Sequence, residues 1–396
     1  MTTTVVEEII VKMGKETIFT IEKEVFKLLF DNTIVRRKSI FTESLTKGTI
    51  SFNNFIALAR KGEVPYPLFF LKLEHAKKVV EEFQKKVYFG VSKNQLSIAS
   101  RGDIVLADIS LLLKDITRKQ SYLKKFYKEK NNIPGKYRKS NKSLESKAQE
   151  VRELIGYDIT QIFSLNKEES FRFLDTCLSK HNVFISLYAH QYTPQNIDKS
   201  LQFSGIAIND KYCPYLFIKA GDNDSRIELW GRRLFTAALL LSCLLHGECR
   251  PVTMDGSSHE LPDNKHYLFA EEFLMPENMF RNEICSTYED IDRIATKYSV
   301  SPSAVVMRLY RLKMINDDTK NIYLDSLSEK WRKVTRAKGG GNNVSMEEGI
   351  RRYNNRAVVN LVVHNFLSNE ISEHDARNLL CYKKGEKLNI EVLQHE

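Results

Sequence analysis

The stretch Arg233-Leu-Phe-Thr-Ala-Ala-Leu-Leu-Leu-Ser-Cys-Leu-Leu-His246 contains the longest apolar run of the chain, Leu234 to Leu245, with only Thr236 and Ser242 as polar interruptions. Twelve residues are too few to cross a bilayer, which takes about 20, so the run predicts a buried helix over 232–246 that ends at Gly247. The text before it is strand-like at Val183–Tyr188, Gly205–Asp210 and Tyr215–Lys219, with Pro214 and Gly221-Asp-Asn-Asp224 as boundaries. After it comes a polar loop through Asp255-Gly-Ser-Ser and then a helix near 264–273, closed by Pro276. An amphipathic helix is expected over Glu168–Lys180.

Working outward, Phe52, Phe55, Ile56 and Ala59 fall at helical spacing, Pro65 and Pro67 stop that helix, and Leu68-Phe-Phe-Leu71 reads as a buried apolar plug. Residues 1–75 are expected to be mainly helical, with strand-like text only at Thr17–Thr20, and a further helix is expected near Glu74–Lys86. Brief strand-like text follows at Lys86–Gly90 and Gln95–Ala99. After residue 285 the pattern is helical again, and Tyr288–Leu312 resembles a helix-turn-helix. Its first helix ends at Tyr298; Ser301 caps the second, with Pro302 at its first position. Gly339-Gly-Gly341 is a break before a helical 345–395. The fold class is α+β. Its expected domains are 1–75 (helical), 76–150 (a basic helical connector, with a loop over 128–146), 151–284 (mixed) and 285–396 (helical).

Length allows two or three domains with a sizeable core, and the 42% hydrophobic and 28% charged composition is that of an ordinary globular protein. The start, Met1-Thr-Thr-Thr-Val-Val-Glu-Glu, has no basic n-region, so no signal peptide, no membrane span and a cytoplasmic location are expected. Six cysteines (Cys177, Cys213, Cys243, Cys249, Cys285, Cys381) are scattered without a CxxC pair, which fits a reduced compartment and no zinc finger. The net charge of +10 is concentrated: Lys114–Lys147 holds twelve Lys/Arg against three acidic residues, interleaved with Tyr122, Phe126, Tyr127 and Tyr137. Lys119, Lys124, Lys125, Lys128, Arg138 and Lys139 are candidates for phosphate contacts beside stacking aromatics. A solvated linker whose aromatics pack inward accounts for the same pattern.

Several stretches, in order along the chain, resemble the ImmA/IrrE family of metallo-endopeptidases in its long form with an N-terminal helix-turn-helix-type regulator domain. They are Leu58–Phe70, Ser204-Gly-Ile-Ala-Ile-Asn-Asp210, Pro214-Tyr-Leu-Phe-Ile218, Arg233-Leu-Phe-Thr236, Ala270-Glu-Glu-Phe-Leu-Met-Pro276, Ile294–Leu309, Gly339-Gly-Gly-Asn342 and Ile371–Leu380. The resemblance implies a zincin-like α+β central domain between a helical N-terminal domain and a helical C-terminal region. It also implies a zinc helix carrying His-Glu-x-x-His, whose two histidines share one face and whose glutamate polarises the metal-bound water.

The chain departs from that pattern at every chemical position. Leu239 and Leu240 stand at the first ligand and the base, Cys243 at the second ligand and Asp263 at the third. No zinc is expected. For a displaced metal site the remaining donors are Cys243, His246, His259, Asp263 and His266, but a polar surface loop and a small apolar core cysteine account for them better. Residues 1–50 lack a clear helix pair, so the module at 288–312, with Arg308 and Arg311, is the better DNA-reading candidate. Three readings follow. The first is a pseudo-metallopeptidase acting as a protein-binding regulatory subunit, whose partner is a repressor, a toxin or a defence-system subunit, in a mobile-element, toxin–antitoxin or phage-defence setting. The second is a DNA-binding regulator using 114–147 and 288–312. The third is a metalloprotease with a non-standard site. Oligomeric state is not legible.

Overall fold

The computed structural model describes residues 7–87, 106–189, 192–197, 204–219, 229–248, 251–252, 265–337 and 345–382, with a few isolated positions beyond. The chain divides into two compact units: residues 1–91, 103–119 and 194–201 form the first, and residues 92–102, 120–193 and 202–396 the second. The architecture is α+β.

The first unit opens with a hairpin, β1 (Glu8–Met13) and β2 (Glu16–Glu22), and the order of its small sheet is β2-β1-β3, with β3 (Thr49–Ser51) parallel to β1. The all-helical expectation for residues 1–75 is corrected here. Ile9 and Val11 alternate with exposed or half-buried neighbours, a period-2 pattern, and Gly14 supplies the left-handed φ of 63° that the two-residue turn needs. Four helices follow: α1 (Lys23–Asp31), α2 (Ser39–Lys47), α3 (Phe52–Gly62) and α4 (Leu73–Val87). Phe26, Phe30, Phe41, Phe55 and Phe69 form the centre of this core, with Phe55 and Phe69 edge-on at 4.9 Å. Of the expected plug, Phe69 is buried and Phe70 faces out. Lys86 and Val87 close α4; the rest of Lys86–Gly90 and all of Gln95–Ala99 lie outside the described residues.

Helix α5 (Ser110–Leu123) starts in this unit. The Gln195 carboxamide accepts from the Leu111 and Leu112 amides at 3.0 and 3.1 Å, satisfying two orphan donors at its amino end, and donates to the Asp108 carbonyl at 2.7 Å. The buried Asp108 carboxylate holds Arg36 and Arg37 at 3.3 and 3.1 Å.

The second unit begins its regular structure with α6 (Leu144–Ile155), α7 (Ile159–Ile162) and α8 (Lys167–Lys180), the last started by an Asn166–Glu169 capping box. Strands β4 (Phe184–Leu187), β5 (Gly205–Ile208), β6 (Tyr215–Ile218) and β7 (Pro251–Val252) form a sheet of order β4-β6-β5-β7, in which β4 is parallel to β6 and the other pairs are antiparallel. Every residue of β4, β5 and β6 is buried, so these strands read as continuous apolar runs rather than alternating ones. Helix α9 (Leu229–Leu245) packs on the sheet and against α8 and α10 (Lys265–Leu274). Then come α11 (Glu277–Phe280), α12 (Tyr288–Lys297), α13 (Pro302–Arg311), α14 (Asp317–Ala337), α15 (Met346–Asn354), α16 (Arg356–Leu367) and α17 (Glu373–Leu379). The Gly339–Gly341 break lies outside the described residues. Among the described residues no helix is long and apolar enough to cross a membrane.

The closest approach of helix to sheet is at Gly205. A Cβ there would sit 2.5 Å from the Phe217 carbonyl oxygen and 2.9 Å from Leu240 Cδ1. Gly205→Ala is therefore expected to cost about 2–3 kcal/mol by overpacking, read as a lower melting temperature; an unchanged melt would mean that β6 and α9 can both give way at this point.

Candidate functional site

Every residue of α9 from Leu234 to Leu245 is buried, as expected of a helix apolar on all sides. Leu239, Leu240 and Cys243 are fully buried. Leu240 lies against β5 at Gly205. The helix ends as the sequence predicts, with Gly247 in the left-handed region at φ 70° and its amide bonded to the Leu244 carbonyl at 2.8 Å. The preceding loop adds two more donors: the Gly135 amide also reaches the Leu244 carbonyl at 2.9 Å, and the Tyr137 amide satisfies that of Leu245 at 2.8 Å. Ile133 and Tyr137 sit in the core beside them. The 128–146 segment is thus a loop, as predicted, but one that caps α9.

One turn beyond the leucines lies a polar group. Ser242 Oγ is 2.9 Å from His266 Nδ1, and His266 Nε2 is 3.1 Å from Glu248 Oε2. His246 Nδ1 donates to the Ser242 carbonyl at 2.8 Å, and its ring meets that of His266 edge-on at 5.2 Å. Burial holds the His246 imidazolium below its ordinary pKa, which favours the neutral ring. The order serine, imidazole, carboxylate is that of an activated nucleophile, but Ser242 and His266 are both fully buried, so no substrate reaches the hydroxyl. The group bonds α9 to α10. Sequence reasoning named His246 and His266 and missed Ser242 and Glu248; a serine inside an apolar run one turn before a histidine is the signal that pointed to them. His259 and Asp263 lie outside the described residues.

The residues present do not fit a catalytic zinc. Leucine at 239 and 240 offers neither a lone pair nor a base, and among the described residues no three His, Cys, Asp or Glu side chains are grouped to hold a metal.

The segment Ala270–Pro276 has a structural role that the sequence did not assign. Glu272 forms a buried ion pair with Arg308, whose Nε also donates to the Met275 carbonyl at 3.1 Å, and Glu271 pairs with Arg311 at 2.9 Å. These contacts fasten α10 to α13. Helices α12 and α13 are built as predicted, with Ser301 capping the Ala304 amide at 3.3 Å and Pro302 at the first position. However, α13 has no exposed residue between Pro302 and Arg311. Arg308 and Arg311 thus serve as internal ion-pair partners, and only Ser303, Met307, Tyr310 and Arg311 of α13 are half-exposed.

The basic segment is turned partly inward. Lys119 is buried against Asp115 at 2.6 Å, and Lys124 is paired with Asp210. Tyr122 is buried and accepts from Asn365 at 2.8 Å, Tyr127 packs on Phe184 at 5.9 Å, and Tyr137 is in the core. Lys125, Lys128, Arg138 and Lys139 are exposed, as is Phe126 among the interleaved aromatics, while the tyrosines point inward.

Residues 231–310, from the start of α9 to the end of α13, match the model of the Peptidase_M78 family, the IrrE N-terminal-like domain. The match supports the likeness to ImmA/IrrE proteins over this stretch of the chain. Among curated proteins none matches.

Two outcomes are expected. Leu240→Glu places an unpaired carboxylate against β5 and should cost several kcal/mol, about 3 or more, while Leu240→Met should cost about 1 kcal/mol; equal melting temperatures would mean the helix face is open. Burial pushes the Glu271 carboxyl up to about 7, with Arg311 and Arg308 opposing. The folded protein then keeps a proton that the unfolded chain releases above its ordinary value of 4.5, so stability falls as pH rises from there to about 7. Glu271→Gln should flatten that fall in denaturant titrations across the same window, and an unchanged slope would place its origin elsewhere.

Proposed function

We propose that this chain is a non-catalytic ImmA/IrrE-like protein that acts by binding, as a regulatory subunit whose partner is a repressor, a toxin or a defence-system subunit of a mobile element, a toxin–antitoxin pair or a phage-defence system. One observation carries this reading: the two positions that would hold the first zinc ligand and the base are leucines, sealed within a helix that is buried all round. A hydrolase needs a metal-bound water in reach of a peptide bond. Leu239 and Leu240 supply no donor, and the side chains that remain polar around α9 satisfy one another.

A binding role needs an accessible surface. In the second unit Ile284 and Ile322 are 76% and 61% exposed, and Tyr288, the first residue of α12, is exposed as well. The Tyr288 hydroxyl lies 3.5 Å from the Ile322 carbonyl, and its ring meets that of Tyr323 at 4.9 Å. Large apolar side chains held out by such contacts suit a protein partner.

Two measurements test the reading. Elemental analysis of purified protein is expected to find no stoichiometric zinc. Capture from the source cells is expected to retain one protein on the wild type and to lose it with Ile284→Glu combined with Ile322→Glu, while the melting temperature is unchanged. One zinc per chain together with cleavage of the captured protein would replace this reading with a protease. Retardation of DNA that weakens steeply with salt, with no protein retained, would replace it with a DNA-binding regulator.

A further inference from the structure

Away from α9's buried face, the second unit carries a small surface pocket of about 30 Å³. Ile185 and Leu187 of β4 and Phe171 of α8 form an apolar floor, and Trp230 at the start of α9 forms one wall. The rest of the lining is polar and unevenly charged. Four guanidinium groups, those of Arg172, Arg351, Arg352 and Arg356, face two carboxyl groups, those of Glu348 and Asp175.

Glu348 does not neutralise this set. Arg352 Nε donates to Glu348 Oε1 at 2.7 Å, Arg356 approaches Oε2 at 3.4 Å, and Arg172 stands 3.9 Å from Oε1. Three guanidinium groups thus fan out from a single carboxylate, with Arg172 also reaching Glu168 at 2.9 Å. Asp175 contributes less than a full charge, because burial pushes its carboxyl up to about 7 against the opposing bonds from Asn355 and neighbours. The amino end of α16, whose first residues line the pocket, adds partial positive charge.

The pocket is also built on strained backbone. Asn355, between α15 and α16, has φ 72° and ψ 136°, a left-handed φ that disfavours side chains. Its carboxamide holds it there by donating to Asp175 Oδ1 at 2.8 Å and to the Ile185 carbonyl at 3.2 Å, and by accepting from the Ala357 amide at 3.0 Å. This anchorage fixes the turn that presents Arg351, Arg352 and Arg356 on one side. Strain of this kind is retained where surrounding structure over-determines it, commonly at ligand sites.

We propose that this pocket binds the phosphate group of a small phosphorylated molecule, with Arg172, Arg352 and Arg356 as its ligands and Trp230 as the neighbour of whatever the phosphate carries. Guanidinium groups match phosphate oxygens in pairs, which a lone ammonium does not. The concave apolar floor suits a small molecule and does not suit a nucleic-acid duplex. The Trp230 ring, held by the Arg233 guanidinium 4.5 Å and that of Arg352 5.6 Å from its centre, offers a wall to whatever the phosphate carries. The site shares no residue with the former metal positions and stands whether or not the chain is catalytic.

The test uses the full chain, with inorganic phosphate, adenosine monophosphate, ribose 5-phosphate and adenosine as probes, in titration calorimetry at low salt. The expected result is that at least one phosphate compound binds, adenosine does not, and Arg356→Ala and Arg172→Ala each weaken binding by about tenfold or more, the loss of a charge-assisted hydrogen bond. Both variants should melt within the range of the wild type, since each arginine is partly exposed. In a Trp331→Phe background Trp230 is the remaining tryptophan, and a change in its fluorescence with adenosine monophosphate but not with inorganic phosphate assigns the source to a nucleotide. The proposal is overturned if no phosphate compound binds more tightly than about 1 mM, if binding survives both substitutions, or if only an oligonucleotide binds.

Discussion

The second unit depends on the burial of α9 on all sides. A helix that presents apolar side chains in every direction is stable only when each face has a neighbour. Here the sheet, α8 and α10 provide those neighbours, and the loop around Gly135 and Tyr137 takes the terminal carbonyls. The sheet can meet the helix this closely because Gly205 has no Cβ to hold Leu240 away. At the other end Gly231 plays a matching part: a Cβ there would lie 2.8 Å from the Val300 carbonyl carbon, so the start of α9 sits directly on the turn between α12 and α13. Two glycines and a run of leucines therefore fix where the strands and the following helices lie.

Charged and polar groups on this frame are set against one another. Ser242 and His266 are inside, and they are bonded to each other and outward to Glu248. Glu271 and Glu272 are inside and face Arg311 and Arg308. A buried ion pair adds little net stability compared with apolar groups of the same shape, but breaking it is costly, so it acts as a selector of one packing over others. The α10–α13 pairing and the Ser301–Pro302 helix start define a single arrangement for the stretch that matches the IrrE N-terminal-like model.

Much of this was legible in the sequence because it rests on local rules. The Gly247 stop, the Ser301 cap and the three buried strands at 184–187, 205–208 and 215–218 follow from turn chemistry and apolar runs. The hairpin at Glu8–Glu22 was read only at its second strand, since Ile9 and Val11 make a short period-2 pattern that a neighbouring helical text obscures. Charge was the least legible property. Lys119, Arg308 and Arg311 look like surface residues until the fold sets acidic groups against them, and Arg308 and Arg311, three apart on α13, show this best. The pocket at Trp230 was not legible at all: its arginines come from α8, α15 and α16, which meet only in three dimensions.

Leucine at 239 and 240 has a thermodynamic side of its own. A preformed metal site aims several lone pairs at one point, and without the ion those groups are desolvated and unpaired, which is destabilising. Histidines and a glutamate at 239, 240 and 243 would tie the stability of the whole unit to metal supply, because α9 is at its centre. Leu239 and Leu240 remove that dependence and add apolar burial at the same positions. The frame then holds its shape without a ligand on α9.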